Sequence, residues 1–305
     1  MKTSLIIGYG SAGKNHEKIL NKIGLKTNIF SRRKIKTKNY INSLNEVLEN
    51  LKPQYVVIAN ETSEHYKTLC ILENHNVQKI MIEKPIFHKV LKIKNLEIEN
   101  IFVGYNLRFH PLILKLFKEI RFQKILSVDA RVGSYLPDWR KGRDYKEVYS
   151  SDNNKGGGVL RDLSHEIDYL IWMFGNVSEL VSLGGHFSSL SGDSEDIYKL
   201  ILKMDRCKSV SLSLDYLNRL HQRDITVITD KNSYYVDLRT NTFFSSTSEK
   251  CIIKNFSNSK TYNDLHIDII ENSGKNSCTY QEAIQVLNVI YAAEKSNNDK
   301  KWIKI

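Results

Sequence analysis

Apolar residues in the first third of the chain fall in short unbroken runs: Leu5-Ile6-Ile7, Tyr55-Val56-Val57-Ile58-Ala59, Ile80-Met81-Ile82 and Ile101-Phe102-Val103. Such runs, lacking alternation, belong to strands buried on both faces, the condition of a parallel sheet covered by helices. Lys26 to Phe30 reads as a further strand. Helical spacing links Gly13 to His16, Ile19, Leu20 and Ile23. Ser43 to Leu51 suits a short helix, with Ser43 and Glu46 spaced as a capping box. Lys89 to Ile98 fits a long helix poorly, and a helix from about Leu112 to Ile120 leads out of this half.

Beyond it the pattern changes. Ile125 to Val132, Leu180 to Phe187, Ile197 to Met204, Ser209 to Tyr216, Asp224 to Thr229 and Tyr234 to Leu238 alternate at close spacing. Breaks at Asp205-Arg206-Cys207 and Asp230-Lys231-Asn232 favour antiparallel hairpins. One long helix is predicted from Val159 to Phe174, after Gly156-Gly157-Gly158 and stopped by Gly175. Its stripe is Leu160, Leu163, Ile167, Leu170, Ile171 and Phe174, and Asp162, His165 and Tyr169 share another face. A last helix spans about Tyr280 to Lys295. The expected fold is α/β: a doubly wound parallel sheet in residues 1–115, then an α+β domain with an open, mostly antiparallel sheet in residues 116–305.

At 305 residues and 41% apolar content the chain can build two cores, and no apolar run is long enough to span a bilayer. Cys70, Cys207, Cys251 and Cys278 lie far apart without a C-x-x-C, which argues against zinc and against a disulfide framework. No export signal is legible ahead of the first strand, so a cytoplasmic protein with reduced thiols and no metal is expected. The net charge of +11 is spread along the chain, which argues against nucleic acid and membrane partners but suits an anionic small molecule.

The first strand runs into Gly8-Tyr9-Gly10-Ser11-Ala12-Gly13, a G-x-G-x-x-G turn that opens a helix. Its glycines permit the tight turn, the approach of a pyrophosphate and close helix-on-strand packing. The helix N-terminus offers phosphates free N–H groups and a positive dipole end. A dinucleotide is therefore expected on Gly8, Gly10, Ser11, Ala12 and Gly13. An NAD-selective site would place an acid about 20 residues beyond the glycines. Here Ser31-Arg32-Arg33 stands instead, and guanidinium groups suit a 2′-phosphate, so NADP is expected over NAD. Asn60, His65, Glu83 and Lys84 follow strand ends, where such a sheet gathers its ligand loops.

Gly8 to Gly13, Ala59 to His65, Glu83-Lys84-Pro85, Gly104 to Phe109, Gly157 to Asp168 and Gln281-Glu282-Ala283 together resemble the glucose–fructose oxidoreductase / inositol dehydrogenase family, Gfo/Idh/MocA. The resemblance spans nearly the whole chain in the family's order. It implies an N-terminal Rossmann domain and a C-terminal sheet that mediates homo-oligomerisation. It also implies that Lys84 sits at the nicotinamide end of the cleft and that Asp162 and His165 complete the catalytic set. Asp162 and His165 are three apart where many relatives have four, Asn60-Glu61 replaces the usual Thr-Pro, and the link from Pro85 to Gly104 is short.

The chemistry agrees with those residue types. Oxidising a secondary alcohol sends a hydride to nicotinamide and a proton to a base, and an imidazole near its ordinary pKa of ~6.5 suits that exchange at His165. Lys84 would act as base only if desolvated or beside a cation, and otherwise as an ammonium that polarises the oxygen. The loop Gly133 to Tyr145 resembles family members in bacterial surface-glycan and sugar-nucleotide synthesis. Trp139 could stack on a sugar or base, with Arg140 and Arg143 meeting phosphate; Arg108 and Tyr169 complete the substrate-binding candidates. The expectation is an NAD(P)-dependent oxidoreductase acting on a hydroxyl or ketone carbon of a sugar or sugar derivative, nucleotide-linked sugars included. The alternatives are an imine or tetrapyrrole-like reductase of the same fold and a non-catalytic NADP-binding redox sensor.

Overall fold

A computed structural model describes residues 2–32, 43–89, 100–140, 142, 144–153, 156–254 and 256–305. In chain order the elements begin β1 (Thr3–Ile7), α1 (Ser11–Lys22), β2 (Lys26–Phe30), α2 (Leu44–Leu51), β3 (Tyr55–Ile58), α3 (His65–Leu72), β4 (Lys79–Ile82) and β5 (Ile101–Val103). Then follow α4 (Pro111–Ile120), β6 (Ile125–Gly133), α5 (Val159–Asp162), α6 (His165–Phe174), β7 (Val177–Gly185), β8 (Ile197–Met204), β9 (Val210–Asp215), β10 (Gln222–Thr229), β11 (Ser233–Asp237), β12 (Thr242–Ser245) and β13 (Ser248–Ile252). The chain closes with α7 (Asn258–Glu271), β14 (Cys278–Thr279), α8 (Tyr280–Asp299) and β15 (Ile303–Lys304). Of the link expected to be short, Pro85 to Gly104, residues 90–99 lie outside the described residues.

Two compact units emerge: residues 1–109 with 257–284, and residues 110–256 with 285–305. A single division after residue 115 does not provide for the return of 257–284 to the first unit. That unit holds a six-stranded sheet in the order β14-β5-β4-β3-β1-β2, parallel except for β14. Leu5, Ile6 and Tyr55 through Ile58 are fully buried, as the unbroken apolar runs require. Leu265 and Ile269 of α7 join the same core as Ile6, Val57, Met81 and Phe102. Asp268 then fixes the approach to β14, accepting from the Asn276 and Ser277 N–H groups at 3.0 Å and the Ser277 hydroxyl at 2.7 Å.

The second unit is a nine-stranded sheet, β13-β12-β11-β10-β6-β9-β8-β7-β15. Its pairs are antiparallel except β6 with β9. Burial alternates along β8 and β9, so one face is the core and the other carries Leu183, Lys199 and Ile201 outward. Both expected hairpins are present. The long helix expected from Val159 to Phe174 is not continuous: it breaks at Leu163 and Ser164 into α5 and α6. The Ser164 hydroxyl donates to the Arg161 carbonyl at 2.8 Å, offering that carbonyl a partner outside the helical ladder.

Candidate functional site

In the first unit the chain places β2 and β3 on opposite sides of β1. Ligands of open α/β sheets bind beyond the carboxyl ends of the strands at such a switch point. Gly8 follows β1 there and Asn60 follows β3. Gly8 has φ +100°, and a Cβ on it would lie 2.4 Å from the Asn60 nitrogen; one on Gly13 would lie 2.1 Å from the Gly8 oxygen. Both glycines are demanded by the fold. Gly10 differs, because a Cβ there meets nothing within 4 Å. It is also the N-cap of α1, whose first turn, containing Ser11, Ala12 and Gly13, has no acid and no side-chain cap. Open space beside uncapped N–H groups is what a pyrophosphate fits. Asn60 donates to the Thr68 hydroxyl at 2.8 Å, while its Oδ1 is buried with no hydrogen-bond partner among the described residues. That atom is a ready acceptor for a ligand hydroxyl.

At the end of β2, Ser31 is buried and Arg32 is exposed, paired with Glu64 from the segment after β3. Arg32 holds the Glu64 carboxyl below its ordinary range. Arg33 lies outside the described residues. His65 is buried with its ring nitrogens 3.1 Å from the Ile86 oxygen and 3.3 Å from the Asn60 oxygen, spanning the segments after β3 and β4. Burial pushes its pKa down despite those carbonyls. Lys84 is half-buried and joined to Pro85 by a cis peptide. Glu83 accepts the Lys84 N–H at 3.0 Å and meets His16 Nε2 at 2.8 Å. Arg108 is fully buried and ion-paired with Glu282 at 3.1 Å. Glu282 in turn accepts from the Thr279 N–H at 2.8 Å, so this expected substrate residue braces the start of α8.

In the second unit, Asp162 ends α5 and His165 begins α6, so they do not share the turns of one helix. Asp162 is buried and its Oδ2 accepts from the Tyr216 hydroxyl at 2.7 Å. The Tyr149 hydroxyl also bonds Asp162, whose charge, followed by burial, holds that phenol well above its usual range. Burial, with the Asp162 charge adding to it, does the same to Tyr216. Two phenols that keep their protons can only donate to Asp162. Trp139 packs edge-on against Tyr216 at 5.2 Å and donates from Nε1 to the Ser134 hydroxyl at 3.0 Å. Arg140 lies 5.9 Å over the Tyr149 ring. The structure thus gathers Asp162, Trp139 and Arg140 through two tyrosines that the sequence pattern does not single out. Arg143 lies outside the described residues. Tyr169 is fully buried beside Glu166, Arg223 and Asp224; the break in the helix separates it from Asp162, while on α6 it stays one turn after His165. Glu166 itself is buried and held by Arg223 at 2.7 and 2.9 Å.

Comparison with known proteins gives consistent results. Residues 113–235 match the GFO/IDH/MocA C-terminal domain. No curated protein matches the chain at the sequence level. Among solved structures, levoglucosan dehydrogenase in complex with NADH and levoglucosan superposes with a TM-score of 0.84 at 13% identity, covering 100% of this chain and 99% of its own. GenD2 from gentamicin A biosynthesis, in complex with NAD, gives 0.78 at 15% identity, covering 100% and 96%. An oxidoreductase from Thermotoga maritima gives 0.83 at 14%, covering 100% and 98%. Residues 113–235 thus carry a GFO/IDH/MocA C-terminal domain, and the chain shares its fold along its length with these proteins.

Proposed function

We propose that this protein is an NAD(P)-dependent dehydrogenase that moves a hydride between nicotinamide and a hydroxyl or ketone carbon of a sugar or sugar derivative, nucleotide-linked sugars included. The observation that carries the reading is the open space at Gly10 beside the uncapped N-terminus of α1, between two glycines that the fold itself requires. The levoglucosan dehydrogenase and GenD2 complexes support the cofactor class, and the former supports a sugar substrate.

When bound, the nicotinamide supplies the hydride acceptor or donor. The Gly8 to Gly13 backbone would hold the pyrophosphate, Asn60 a ribose hydroxyl, and Ser31 and Arg32 a 2′-phosphate, which is the basis for preferring NADP. Lys84 would hold the substrate oxygen. His165 would take the alcohol proton on oxidation and return it on reduction, while Asp162, kept as an oriented carboxylate by Tyr216 and Tyr149, would bind a substrate hydroxyl. We place the protein in the cytoplasm as a homo-oligomer built on the outward face around Leu183 and Ile201, which sedimentation would test.

Purified protein given NADP⁺ or NAD⁺ and a panel of sugars and nucleotide sugars should develop absorbance at the reduced nicotinamide band. Lys84→Ala should abolish that turnover while cofactor affinity stays within about tenfold, or ~1.4 kcal/mol, because the phosphates are held elsewhere. Full activity in this variant would remove Lys84 from the site.

A further inference from the structure

Glu83 is the near end of a buried chain that crosses the first unit. His16 Nε2 lies 2.8 Å from Glu83 Oε1, His16 Nδ1 lies 2.9 Å from His266 Nε2, and His266 Nδ1 lies 2.8 Å from the Tyr55 hydroxyl. His16, His266 and Tyr55 are all fully buried.

The direction of this chain follows from its far end. The Tyr55 hydroxyl has His266 as its hydrogen-bond partner among the described residues. If it accepted from His266, its own proton would be buried without an acceptor, at a cost of about 1–3 kcal/mol. Tyr55 therefore donates, a role that suits a phenol pushed well above its usual pKa by burial. His266 Nδ1 must then be bare, and burial keeps this ring neutral. A neutral ring with a bare Nδ1 carries its proton on Nε2 and donates to His16. His16 Nδ1 is then the acceptor, and His16 Nε2–H donates to Glu83. Each donor points toward the carboxylate.

We propose that Tyr55, His266 and His16 are positioning residues that hold Glu83 as a carboxylate beside Lys84, so that Lys84 serves as an ammonium and not as the base of the reaction. The role for Lys84 rests on the dehydrogenase reading; the direction of the chain does not. Titratable groups face Glu83 from each side: His16 of α1, Tyr262 of α7, His65 of α3 and Lys84 next to it. Burial alone would raise the Glu83 carboxyl; the His16 hydrogen bond opposes that, and the Lys84 charge adds to the opposition. An anion so placed favours the charged form of the lysine.

Nitrogen NMR of labelled imidazoles in the unliganded wild-type protein tests the direction without any turnover. Protons on Nε2 of both His16 and His266 at neutral pH are expected. A proton on Nδ1 of either ring overturns the proposal, whatever the enzyme's substrate. Tyr55→Phe keeps the ring and removes the terminal donor. In that variant the two rings should no longer hold one tautomer each while the basic limb of the pH–rate profile stays in place, because Glu83 is still ionised there; Glu83→Gln, which removes the anion, should move that limb down by about 1 unit or more. Cofactor affinity should hold in Tyr55→Phe. A Glu83→Gln limb that stays in place overturns the proposal and leaves the dehydrogenase standing. A protein with the expected tautomers but no turnover on any sugar would count against the dehydrogenase and not against the chain.

Discussion

Arg32 and Glu64 oppose each other in a way that bears directly on cofactor choice. Glu64 occupies the guanidinium that a 2′-phosphate would need, and the pair is exposed enough for solvent to compete. Glu64→Gln should therefore tighten NADP(H) binding by up to about fivefold, since exposed pairs are worth ~0.2–1 kcal/mol. Arg32→Ala should weaken NADP(H) and leave NAD(H) in place. Fluorescence titration with both cofactors checks the two, and equal responses of NAD and NADP would undo the preference. His165→Ala should lower turnover by ~10²–10⁴, the usual contribution of a general acid–base group. Near-normal rates there would move the proton step to another residue. The glycine turn is legible because local order marks it, while Lys84, Asp162 and His165 are proposed from their chemistry. Glu64, Tyr149 and Tyr216 are not legible, since each gains meaning only from a partner far off in sequence. Tyr216 reaches Asp162 across 54 positions, and His266 reaches His16 across 250.

Elements built on apolar periodicity were the most legible: β1 and β3 match their runs, and α4 begins within a residue of its expected start. Helix α7 was missed because its buried face includes Thr261, His266 and Asp268, which hydropathy scores as surface. The break between α5 and α6 was missed because Leu163 and Ser164 keep the apolar stripe in register while a hydroxyl diverts the backbone. The start of α5 carries a second oddity. Gly158 has φ +109°, and a Cβ there would lie 2.3 Å from the Glu195 carboxylate. Burial, opposed by Arg161 at 3.7 Å and reinforced by Glu294, pushes Glu195 up to about 7. The folded state then holds a proton that the unfolded chain releases, so this group's stability contribution is largest below 4.5 and is lost as pH rises to about 7. The loss is at most roughly 3 kcal/mol. Glu195→Gln should flatten that fall in urea midpoints measured across the window. A variant with the wild-type slope would assign the pH dependence to other groups.

At the scale of the whole molecule, the first unit is made of two stretches separated by most of the second. Residues 257–284 supply Leu265, Ile269, His266 and the edge strand β14, so a fragment ending at residue 115 lacks part of its core. Such a fragment should show no cooperative thermal transition, whereas residues 1–109 joined by a short linker to 257–284 should melt cooperatively. Circular dichroism of the two would decide, and a stable 1–115 fragment would overturn the division. Sequence pattern could not reveal this arrangement, because a contiguous run of strands gives no sign that its last strand and its buried histidine arrive later. Timing follows from that arrangement. A ribosome adding about 5–20 residues per second needs roughly 9–35 s to go from residue 109 to residue 284. Through that interval the Tyr55 hydroxyl and His16 Nδ1 wait for His266, and the core of the first unit waits for Leu265 and Ile269, so this unit is completed only near the end of translation.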